Sequence, residues 1–84
     1  MIKLQMTCGA CPEQYDAFLD GRQVGYLRLR HSTFRVDCPD CGGETVFSTD
    51  EVEGDGVFVE HERQAFLDIA VQKIEQWLVN HSET

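Results

Sequence analysis

The chain has no uninterrupted apolar stretch approaching the roughly 20 residues that a membrane-spanning helix needs. Its first residues, Met1-Ile2-Lys3-Leu4-Gln5-Met6, lack the apolar core of a secretory leader. Basic residues are scarce: seven against fifteen acidic ones, a formal net charge of −8. From Asp37 to Glu62 there is no lysine or arginine at all, while nine carboxylates fall in that interval (Asp37, Asp40, Glu44, Asp50, Glu51, Glu53, Asp55, Glu60 and Glu62). So acidic a chain repels phosphate backbones, which argues against general nucleic-acid binding. No glycine-rich phosphate loop, internal repeat or low-complexity segment is present. His31, His61 and His81 have no nucleophile partner evident in the sequence, so a non-enzymatic protein is expected.

What is present begins with four cysteines in two C-x-x-C pairs, Cys8/Cys11 and Cys38/Cys41, separated by 26 residues. Paired C-x-x-C turns at this spacing predict one ion held by Cys8, Cys11, Cys38 and Cys41. Thiolates in a tetrahedral set suit zinc, and a filled four-sulfur site is structural, with no open position for catalysis. A chain of 84 residues buries little surface, so a metal staple would contribute to folding directly. Cys38-Pro39-Asp40-Cys41-Gly42 also resembles the second iron-binding turn of rubredoxins, which makes iron the alternative occupant. Cysteines spent on a metal imply a reducing, cytoplasmic setting.

The remaining sequence divides by hydrophobic period. Residues 1–48 read as a zinc-ribbon-like antiparallel meander of four to five strands, with Asp20-Gly21 and His31-Ser32 as tight turns. Leu27, Leu29, Phe34 and Val36 are the expected core. Tyr26, Arg28 and Arg30 share the other face of their strand and form an aromatic and basic stripe. An acidic loop over 49–56 follows, without the ligand spacing of a calcium-binding loop. From about 60 to 80, Phe66, Ala70, Ile74, Trp77 and Leu67, Val71, Leu78 recur at helical intervals, with Glu60 and Glu62 at the positive end of the helix dipole. The expected fold is therefore α+β: one domain, a sheet with a C-terminal helix packed on it. Asp50, Glu51, Glu53, Asp55, Glu60 and Glu62 are the candidate surface for a basic protein partner.

A resemblance extends this reading. Cys11-Pro12-Glu13-Gln14-Tyr15-Asp16, Gly25-Tyr26-Leu27-Arg28-Leu29-Arg30-His31, Asp55-Gly56-Val57-Phe58 and Glu62-Arg63 resemble a family of short proteins from phages and prophages of Gram-positive bacteria. In size, charge and cysteine pattern the chain is also similar to zinc-containing anti-CRISPR inhibitors. The resemblance implies a protein that binds a type II RNA-guided effector nuclease, whose guide and target lie in a strongly positive channel, and blocks target DNA loading. The other readings of the residues are a zinc-ribbon adaptor in a transcription or replication assembly and a rubredoxin-like electron carrier.

Overall fold

The computed structural model describes residues 1–9 and 12–81. Five strands, β1 (Lys3–Gly9), β2 (Glu13–Leu19), β3 (Arg22–Arg30), β4 (Thr33–Cys38) and β5 (Glu44–Thr49), precede one helix, α1 (Glu60–Asn80). The strands form a single antiparallel sheet in chain order, β1-β2-β3-β4-β5. The fold is α+β.

Turn chemistry sets this meander. Asp20 and Gly21 both have positive φ (53° and 80°), the backbone that a two-residue turn matched to strand twist requires. His31 and Ser32 do the same at 53° and 61°, without a glycine to ease it.

Alternation then divides the two faces. Tyr15, Ala17, Leu27, Leu29, Phe34 and Val36 lie on the face towards α1 and are buried. Ala70 and Ile74 of the helix are fully buried, flanked by the partly buried Phe66, Leu67, Trp77 and Leu78. Gly25 permits this close approach: a Cβ there would stand 2.5 Å from Ile74 Cδ1. Phe34 centres an aromatic cluster, edge-on to Phe58 at 5.1 Å and to Phe66 at 5.8 Å, while Phe58 and Phe66 stack at 5.6 Å. Val57-Phe58-Val59 forms no strand, and Phe58 packs into the core.

Two buried carboxylates tie the 50–59 segment down. Glu13, 1% exposed, lies in the same inward register as Tyr15 and Ala17. Its side chain accepts from the Phe58 N–H at 3.0 Å, from Arg63 Nε at 2.8 Å and Nη2 at 3.2 Å, and from the Tyr15 hydroxyl. Its own N–H donates to the Gly56 carbonyl. Burial pushes the Glu13 carboxyl up, but the hydrogen bonds from Arg63, Tyr15 and Phe58 outweigh it, so its pKa is lowered. The Tyr15 hydroxyl, desolvated and bonded to that carboxylate, is pushed up to about 12. Glu62 accepts from the N–H groups of Glu53, Gly54 and Val59 at 2.9, 2.9 and 3.0 Å. It thus satisfies an orphan donor at the helix start and closes the loop onto the first turn. Desolvation raises its pKa less than those backbone bonds lower it.

Candidate functional site

The meander decides how the cysteines relate. Consecutive hairpin turns alternate between the two ends of a sheet. β1 and β4 run in opposite directions and so end at opposite ends of the sheet, Cys8 near the end of β1 and Cys38 at the end of β4. Cys8 sits on β1 opposite Gln14, which is itself opposite Arg28. Cys38 closes β4, next along the strand from Asp37, whose partner is Tyr26. These registers put Cys8 and Cys38 three interstrand spacings and three residues apart, about 14 Å across the sheet and about 10 Å along it. Cys38 also shares the helix-side register of Phe34 and Val36 and packs in the core, 1% exposed. The exposed Cys41 instead lies beside the Tyr26 hydroxyl on the other face.

Sulfurs on one zinc lie within about 4.6 Å of each other, twice the Zn–S distance. Register therefore keeps Cys8 and Cys38 too far apart to ligate one zinc or iron ion together, while Cys41 lies on the face of Tyr26 and Gln14; Cys11 lies outside the described residues. Among the described residues, no group of three or more His, Cys, Asp or Glu side chains is placed to hold a metal. Burial, with Asp37 and Glu44 nearby, pushes the Cys38 thiol up to about 11, a neutral packed group.

The candidate acidic surface divides in two. Asp50, Glu51, Glu53, Asp55 and Glu60 are exposed along the segment before and into α1. Of these, Glu53 pairs with His61 at 2.8 Å and Glu60 pairs with Arg63. The Glu53 carboxylate raises the His61 pKa. Asp50, Glu51 and Asp55 form no ion pair among the described residues. Glu62 departs from the expectation: it is 8% exposed and occupied by backbone N–H groups, so it is structural and presents nothing to a partner.

The expected aromatic and basic stripe is also rearranged. Tyr26 is buried, its hydroxyl donating to Gln14 Oε1 and its pKa raised by desolvation with Cys41 beside it. Arg28 and Arg30 are joined instead by Arg35 across the β3–β4 hairpin. His31 accepts from Arg30 Nε at 3.2 Å, and the His81 ring stacks on Trp77 at 4.5 Å.

Among the described residues, no helix is long and apolar enough to cross a membrane. The fold defines a class no narrower than a small α+β protein with a five-stranded meander and one covering helix. Comparisons with protein-family models, curated proteins and solved structures find no match.

Proposed function

We propose that this chain is a non-enzymatic binding protein whose acidic segment, Asp50, Glu51, Glu53, Asp55 and Glu60, docks on a basic protein surface. The observation that supports this reading is the exposure of those five carboxylates on one segment, three of them without an ion pair among the described residues. Glu13 and Glu62 hold that segment against the sheet and the helix, so the charges are presented on an ordered backbone. Preorganisation lowers the entropic cost of docking, and complementary charge speeds capture. The resemblance to short phage proteins suggests the partner: a type II RNA-guided nuclease, whose nucleic-acid channel is basic. Occupying that channel needs no chemistry and no metal.

The test is binding of the purified protein to such an effector, together with cleavage of a matched target. Capture with loss of target loading, weakened by salt and by the triple substitution Asp50→Asn, Glu51→Gln, Asp55→Asn, is the expected result. Unimpaired cleavage at several-fold molar excess across type II effectors would remove the nuclease from the proposal. Equal binding by the triple variant would remove the acidic segment.

A further inference from the structure

A second charged feature lies on the face of the sheet turned from the helix. Register places Arg28 directly opposite Arg35, and Arg30 directly opposite Thr33. With His31 at the hairpin tip, these five residues line a cavity of about 240 Å³ that no carboxylate lines. Like charges placed directly opposite each other across two strands oppose folding, so the pairing needs a compensating group.

The protein compensates Arg35 in part with the buried Asp37, whose Oδ1 lies 3.3 Å from Arg35 Nε and also accepts from Thr45 Oγ1 at 2.8 Å. Arg35 Nε itself is buried without a hydrogen-bond acceptor. Asp55 lines an adjoining cavity with Pro12, Gly56, Arg30 and His31. His31 Nε2 accepts from Arg30 Nε at 3.2 Å. The cavity therefore gathers guanidinium and hydroxyl donors with no carboxylate in its lining.

We propose that this cavity binds a compact oxyanion, a phosphoryl group carried by a small molecule or free in solution. Guanidinium forks pair two N–H donors with two oxygens of one phosphoryl group, and two facing forks can take the group from both sides. An extended polyanion fits less well. Its further phosphates would run into the field of a chain of net charge −8, whereas a single phosphoryl group meets only the local positive field. The proposal is independent of the acidic docking segment, whose exposed carboxylates line no part of this cavity.

The experiment is an NMR titration of the full chain at constant ionic strength held with chloride. The probes are orthophosphate, pyrophosphate, adenosine monophosphate and a single-stranded DNA 20-mer. Saturable shifts confined to Arg28, Arg30, His31, Thr33 and Arg35 with orthophosphate or pyrophosphate are expected. Preference between those two and the nucleotide separates a free anion from an esterified one. Arg28→Gln and Arg35→Gln should each weaken binding at least about tenfold, the loss of a charged hydrogen-bond pair. Arg22→Gln, at the other end of the sheet, should leave it unchanged. Arg30→Gln, at an exposed position, gives the same reading if either buried-side variant fails to fold. Shifts reproduced by chloride alone, or wild-type affinity in the Arg28 and Arg35 variants, would overturn the site. Tighter binding of the 20-mer than of pyrophosphate through the same residues would overturn the compact ligand.

Discussion

Replacing Glu13 tests what holds this small fold together. The Glu13 side chain is fully buried and accepts hydrogen bonds from four donor atoms: the Tyr15 hydroxyl, the Phe58 N–H and two nitrogens of Arg63. Glu13→Ala strands the Phe58 N–H and the Tyr15 hydroxyl, each at about 1–3 kcal/mol if no water replaces the carboxylate. It also leaves the Arg63 guanidinium, 28% exposed, with the surface carboxylate of Glu60 and the Phe58 carbonyl. Water reaching Arg63 limits that part of the loss, and the cavity admits some relaxation, so the expected total is about 3–5 kcal/mol. That is a large share of the roughly 5–15 kcal/mol that holds a typical domain. Glu13→Gln keeps the shape and an acceptor but removes the charge, and should cost about 1.5–3 kcal/mol. Urea denaturation at pH 7, followed by circular dichroism and Trp77 fluorescence, measures both. The pH dependence has a definite sign. Because the Glu13 carboxyl is lowered in the fold from its ordinary 4.5, its contribution is complete above that value and is lost as pH falls through the lowered folded pKa. The gap between wild type and Glu13→Gln should therefore narrow in acid. A Glu13→Ala cost below about 1 kcal/mol, or a gap that stays constant into acid, would refute this account of the network.

Three further outcomes are expected. Gly25→Ala should destabilise by about 1–3 kcal/mol because its Cβ meets Ile74 Cδ1 at 2.5 Å, and Ile74→Ala should make the glycine substitution nearly neutral in a double-mutant cycle. In the native protein, iodoacetamide should label the exposed Cys41 and spare the buried Cys38, which becomes reactive only on unfolding; mass spectrometry of the digested protein distinguishes them. Arg35→Thr should destabilise the fold by about 1–3 kcal/mol, because relief of the like-charge pair with Arg28 is outweighed by leaving the buried Asp37 carboxylate without its ion pair; unchanged or raised thermal stability would contradict this.

Much of this architecture is written locally in the chain. Asp20-Gly21 and His31-Ser32 fix two turns, Leu27, Leu29, Phe34 and Val36 mark the inward face, and Phe66, Ala70, Ile74 and Trp77 mark the helix. The buried carboxylates were hidden by their chemistry, because acidic residues in an acidic chain are counted as surface. Their positions nonetheless carry the signal: Glu13 has the parity of Tyr15 and Ala17, and Glu62 stands four residues before Phe66 in the stripe Glu62, Phe66, Ala70, Ile74. Cysteine spacing suggests one metal, but spacing does not report the register that keeps Cys8 and Cys38 apart. Arg35 joins Arg28 and Arg30 only through the register of β3 with β4, which no local pattern reports.

The central claim is that packing and the two buried carboxylates hold this fold together, leaving its charged surfaces to act. Metal analysis of natively purified protein, paired with thermal melts before and after exhaustive chelation under reducing conditions, tests it most directly. The account predicts one melting transition, unchanged by chelation. A bound equivalent of zinc or iron, with unfolding when it is stripped, would contradict it.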